Sequence, residues 1–261
     1  MKELATMWRS TRMIVLTALA AACYVAALLP FKVAVLLPGL TEIRPGAAIP
    51  VLLSFLFGPA AAFGAGFGNV IADMLGGMFG PGSLAGFAGN FLYGYVPYVL
   101  WRAVRGDAAP GERGRSDWIL VALIAVVSCV TIAVVIGWGA DLLGLAPFAA
   151  LGNIILLNNL AATLLLSVPL LALTYKRLDN AGLTWNRVMD GGGTAPRFAR
   201  AGVVIVVAAA VGGLVAGEII SLSMLGVDFG AAGFAGERGT VAIGAGLSPF
   251  IAALLFGCAL L

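Results

Sequence analysis

The chain has 261 residues and a net charge of +3, with 61% hydrophobic and only 10% charged residues. A soluble domain carries about a quarter charged residues, so a chain this poor in charge takes lipid as its solvent over much of its length. It contains no histidine, which removes Ser–His–Asp triads, histidine metal centres and histidine proton relays in one step.

Other chemistries fall away for similar reasons. The basic residues lie between apolar runs rather than on one patch, so the positive charge is no nucleic-acid footprint. Cys23, Cys129 and Cys258 are far apart, each within an apolar run, and read as small buried hydrophobes. No Cys-x-x-Cys pair exists, so no metal or redox motif is present and no cofactor is expected. The lysines are Lys2, Lys32 and Lys176, none of them after a glycine, which leaves no Walker A loop for ATP.

Residues 1–12 carry Lys2, Arg9 and Arg12 and lead into an apolar run ending near Leu29. A cleavable signal has a shorter apolar core and a small-residue cleavage site; this run is long enough to span, so it reads as a retained first helix. A span needs about 20 apolar residues at about 1.5 Å rise each. Candidate helices follow the chain at 13–29, 46–57, 59–79, 84–101, 118–139, 147–175, 201–225 and 241–260. The second is short, and Gly58-Pro59 separates it from the third, since neither residue type continues a helix well.

Loop charge sets the orientation. With all eight segments crossing and the N-terminus inside, the inner segments hold 12 Lys and Arg residues and the outer ones hold Lys32, Arg44 and Arg238. That is the bias expected of cytoplasmic loops, and it disappears if the second segment does not cross. Both termini are therefore expected in the cytoplasm. The inner loops at 102–116 and 176–200 are rich in Gly, Arg, Asp and Pro and read as flexible and solvated. The expected organisation is a six-helix core over residues 1–176, a cytoplasmic linker over 177–200 and a C-terminal transmembrane helix pair over 201–261.

Polar residues within apolar helices mark candidate sites. The first outer loop holds Glu42 and Arg44, either a solvated pair or part of a loop closing over a ligand. The third segment places Gly66, Asn69, Asp73 and Gly77 on one helical face. A carboxylate costs about 2.5–3.5 kcal/mol at a bilayer centre, so this face turns to protein or water. It is either a packing stripe or a pocket wall. The fourth segment repeats the pattern with Gly86, Asn90, Tyr93, Gly94 and Pro97. The sixth adds Asn153, Asn158 and Asn159, which do not share one face, so at least one is structural. Trp138 is a pocket wall or an interfacial anchor. Glu218 in the seventh segment reads as an acid snorkelling to the interface. Ala18, Ala22 and Ala26, Gly64 and Gly68, and Gly213 and Gly217 are small residues four apart, which let helices approach closely.

The Ala-xxx-Ala first helix, the outer loop ending in Pro45, the short second helix, and the run from Leu56-Phe57-Gly58-Pro59 through Gly68-Asn69-Val70-Ile71-Ala72-Asp73 resemble the S components of energy-coupling factor transporters. The resemblance covers residues 10–175. It implies a six-helix membrane subunit that captures a micronutrient with high affinity. The implied partners are a transmembrane scaffold (T) component and two ATPase subunits. It also implies that Ala18, Ala22 and Ala26 face the scaffold and that substrate is held near the outer surface, which brings Glu42, Arg44, Asn90 and Asn153 into the binding zone beside Asn69, Asp73, Tyr93 and Trp138. Two helices after the sixth depart from the family pattern, and the missing histidines exclude its cobalt and nickel branch.

The expectation is an all-α, multi-pass plasma-membrane protein, not itself an enzyme. It would take up a small water-soluble compound, and its mixed polar and aromatic residues suit a flavin, pterin or deazapurine. The rival reading is a secondary transporter or channel driven by an ion gradient, for which the repeated Gly-Asn at 68–69, 89–90 and 152–153 is the one hint. An intramembrane enzyme would rest on Asp73 alone. The orientation is tested by single cysteines in a cysteine-free background: Ser116→Cys should react with an impermeant thiol reagent only in opened cells, and Gly39→Cys in intact cells. The reverse pattern removes the topology.

Overall fold

The computed structural model describes residues 2–31, 35–37, 41–42, 44–189, 198–222 and 241–261. Lys32, Arg197, Arg238 and the 190–194 stretch of the second inner loop lie outside them. A helix forms in each apolar segment: α1 Thr11–Leu28, α2 Ala48–Phe57, α3 Pro59–Leu75, α4 Gly82–Arg105, α5 Arg115–Leu142, α6, α7 Ala199–Ser221 and α8 Val241–Leu260. α6 runs Phe148–Ala162, passes through a wide π-type turn at Thr163–Ser167, and continues as Val168–Asn180. Five of the described helices are long and apolar enough to cross a membrane by length and composition. The first outer loop adds a two-stranded antiparallel ribbon, β1 Val35–Leu37 with β2 Thr41–Glu42, an exception to the all-α expectation.

The shortness of α2 has a physical reason. Every residue of it except Ile49 is buried. A helix surrounded by other helices does not have to match the thickness of the lipid around it. Ser167 on α6 donates to Ala48 O at 2.6 Å, and the Tyr98 amide on α4 donates to Ser54 Oγ at 3.0 Å. Gly58 then turns the chain with φ +55°, and Pro59 opens α3. A side chain at 58 would be strained and would press on Trp185 and Tyr98, each 3.0 Å from where its Cβ would lie.

α4 contains Pro97, which lacks the amide that would bond Tyr93 O. Ser128 Oγ from α5 donates to that carbonyl at 3.0 Å, so no buried acceptor is orphaned. α1 has two faces. Thr17, Ala20, Ala21 and Tyr24 are buried against α3, where a Cβ on Gly64 would sit 2.5 Å from the Ala20 Cβ. Cys23, unlike the buried Cys129 and Cys258, is exposed on the other face, contrary to its expected burial.

The helix ends that carry the basic loops are tied together by charge. Glu3 pairs with Arg102 and accepts from the Tyr98 hydroxyl. Arg105 Nε lies 2.8 Å from Asp117 Oδ1, and the Arg113 amide donates to Asp117 Oδ2 at 2.8 Å. The 102–116 loop is thus held at both ends rather than freely solvated. The same holds for the start of the second loop: α6 continues to Asn180, and a short helix, Trp185–Val188, buries Trp185 with its ring 5.0 Å from that of Tyr98. The expected linker boundary at 177 therefore falls inside a helix. Arg187 there lies 3.1 Å from Asp179, and this packing is invisible to composition.

Gly64→Val should wedge α1 from α3 and cost about 1–3 kcal/mol of stability, as overpacked cores do. Gly80→Ala, with nothing within 4 Å of its Cβ position, should be neutral. Thermal unfolding in detergent distinguishes them; equal stability would refute the α1–α3 contact.

Candidate functional site

At the end that the charge bias places outside, α3, α4, α5 and α6 diverge around a cavity of about 210 Å³. α3 contributes Asn69 and Asp73, α4 contributes Ser83 and Gly86, and Arg44 reaches in from the chain leading to α2. Ile136 and Ala140 of α5, Leu145 of the α5–α6 turn, and Leu151 and Ile155 of α6 make an apolar wall. A smaller pocket below shares Arg44, Ile136 and Ile155 and adds Tyr24, Asn90, Ile132, Asn158 and Asn159.

The polar groups are pre-oriented. Asn69 Nδ2 donates to Asp73 Oδ2 at 3.1 Å, and Ser83 Oγ donates to the same oxygen at 2.9 Å. The Gly80 amide in turn donates to Ser83 Oγ at 3.3 Å. Asn69 is buried while Asp73 is half-buried, so the network begins in protein and ends at the cavity. Gly86 makes this possible, because a Cβ there would sit 2.6 Å from Asn69 Nδ2. Deeper in, the Tyr24 hydroxyl donates to Asn90 Oδ1 at 2.7 Å and Asn90 Nδ2 donates to Gly86 O at 2.8 Å. The Arg44 amide donates to Asn158 Oδ1 at 3.3 Å, tying the outer loop to α6.

Of the residues singled out in the sequence, Arg44, Asn69 and Asp73 come together on the larger cavity and Asn90 on the smaller one. Glu42 belongs to β2, and its side chain lies outside the described residues. Three others point elsewhere. Tyr93 is fully buried, its hydroxyl 2.5 Å from Thr163 Oγ1 and 3.6 Å from Cys129 Sγ, and it joins α4 to α5 and α6. Trp138 faces α8, with its ring nitrogen 3.5 Å from Gly244 O. Asn153 faces α7 and donates to Glu218 Oε1 at 2.9 Å. Glu218 is thereby hydrogen-bonded rather than simply snorkelling. Ser83 and Tyr24 were passed over, because a serine opening a helix and a tyrosine in an apolar run carry no functional signature on their own.

Ala18, Ala22 and Ala26 are all exposed, on the face of α1 turned away from α3. The chemistry on offer at the cavity is a carboxylate, a guanidinium, amides and a hydroxyl against an apolar wall. That suits holding a small polar molecule.

Gly86→Ala should push the Asn69 amide off Asp73 and lower the melting temperature in detergent. On an Asn69→Ala background the same change should cost little; additive losses would show that Gly86 matters for another reason.

Comparison with protein-family models gives a match over residues 14–176, to the family described as the QueT transporter. No curated protein and no solved structure matches the chain.

Proposed function

Because the chain belongs to the QueT transporter family, a family of energy-coupling factor S components for a queuosine precursor, we propose that it captures a 7-deazaguanine compound from outside the cell and passes it inward as the substrate-binding subunit of an ATP-driven importer. Transport of a small substrate by a multi-pass membrane S component follows from the family itself. The observation that supports the finer reading is the Asn69–Asp73–Ser83 network opening on the outer cavity. The pyrimidinone edge of a deazaguanine presents a ring N–H and an exocyclic amine side by side, and a carboxylate accepts from both. Arg44 supplies a donor for the ring carbonyl, and Ile136, Leu151 and Ile155 cover the ring faces.

The rest of the machinery is supplied by partners. The chain has no Walker A lysine, so hydrolysis falls to separate ATPase subunits. The exposed Ala18, Ala22 and Ala26 form a flat strip on which a helix of a scaffold component can pack closely. The subunit then tips within the bilayer, which its apolar flank permits. Val15, Leu84, Leu165 and Val204 are among the large hydrophobic side chains it exposes.

Titration of the purified protein with 7-deazaguanine, pterin and riboflavin should show one-to-one binding of the deazapurine without ATP. Asp73→Ala should weaken it at least tenfold, since hydrogen bonds to a charged group contribute about 1.5–3 kcal/mol. No binding from the panel would overturn the substrate assignment. Uptake driven by a sodium or proton gradient without ATPase subunits would favour an ion-coupled carrier.

A further inference from the structure

The family match ends at residue 176, yet the chain continues into α7 and α8. The two helices form a hairpin that packs mainly on α5, with further contacts to α4 and α6. Its contact with α6 is concentrated at one end, beside the cavity. There the Ala149 amide donates to Ser221 Oγ at 3.1 Å, and Asn153 Nδ2 donates to Glu218 Oε1 at 2.9 Å. The Phe148 amide donates to Asp141 Oδ2 of α5 at 2.8 Å. The first amides of a helix have no partner within it, so these bonds fix an end that would otherwise fray. Phe148 is fully buried and lies against Gly217, where any side chain would overlap its ring.

The placement matters because of what the other face of α6 does. Ala149 and Asn153 are one turn apart on the face toward α7. Leu151 and Ile155 are one turn apart on nearly the opposite face, and they line the cavity. Leu145, in the turn just before α6, lines it too. The outer turns of α6 are thus a partition, with the cavity on one side and the hairpin on the other. Any rotation or lift of this end moves Leu145, Leu151 and Ile155 together.

We infer that Glu218 and Ser221 of the C-terminal hairpin are positioning residues for the substrate cavity, holding the outer end of α6 so that its opposite face forms the apolar wall. The hairpin is then a part of the binding subunit, and it leaves the Ala18–Ala22–Ala26 strip open, since it packs on the other side of the core. The substrate readout of this inference rests on the deazapurine reading; the structural readout does not.

The test uses the full chain in detergent. Hydrogen exchange is followed over residues 148–156, and 7-deazaguanine binding is titrated, for Glu218→Ala, Glu218→Gln, Asn153→Ala, Ser221→Ala and the Glu218→Ala/Asn153→Ala double variant. Glu218→Ala should speed exchange in this segment about tenfold and weaken binding about tenfold, the scale of one lost hydrogen bond to a charged group. Glu218→Gln should stay within about twofold of the parent in both, because its amide carbonyl still accepts from Asn153. Ser221→Ala should expose the Ala149 amide to exchange with a smaller loss of binding, and the double variant should be no weaker than the worse single one. Unchanged exchange in Glu218→Ala, faster exchange with unchanged affinity, or a Gln variant as impaired as the Ala variant would each overturn the inference. If the parent protein binds no deazapurine, the substrate reading fails, and the exchange series alone decides whether the hairpin holds α6.

Discussion

The cost of placing a polar group against lipid is the constraint from which the rest of this structure follows. α3 shows it most directly. Phe67, Ile71, Met74 and Leu75 are exposed along one side, while Asn69 is buried and Asp73 half-buried on the other. In water this arrangement would be inside out. In a bilayer it leaves the amide and the carboxylate two options, to be satisfied by other helices or to face an aqueous cavity. Asn69 takes the first and Asp73 reaches the second, and the two are bonded to each other.

The same constraint governs the rest of the bundle. Buried polar groups are spent in pairs: Tyr93 with Thr163, Ser128 with the carbonyl left bare by Pro97, Ser167 with Ala48 O. Each pair fixes one helix against another at a defined height. At the end that carries the basic loops the fixing is ionic, through Glu3–Arg102 and Arg105–Asp117. At the opposite end, polar groups are gathered around a space. A bundle locked at one end and open at the other is a scaffold on which a cavity can be held in shape.

Much of this was legible in the residues. Apolar runs, interrupted at Gly58-Pro59 and in the basic loops, located α1 to α8 to within a few residues, because lipid enforces length and composition together, whereas the short helices Lys2–Thr6 and Trp185–Val188 carry no such run. The four-residue spacing of Asn69 and Asp73 placed them on one face, and the structure brings both to the cavity. Periodicity assigns a face but not the neighbour across from it. Asn153 and Trp138 were expected at the pocket because they sit near the outer surface, yet they meet α7 and α8. Tyr93 lies on the same helix as Asn90 but lower, where its hydroxyl serves a helix junction. The inner loops looked solvated by composition, and only packing shows Trp185 against Tyr98.

The account stands on which way the polar side of α3 points. Nitroxide labels placed singly at Asn69, Asp73, Phe67 and Ile71, in protein reconstituted into bilayers, report this through collision with a water-soluble nickel complex and with lipid-soluble oxygen. Labels at 67 and 71 should be dominated by oxygen, the label at 73 by nickel, and the label at 69 should be shielded from both. Oxygen-dominated collision at 69 and 73 would place the network against acyl chains and contradict the account.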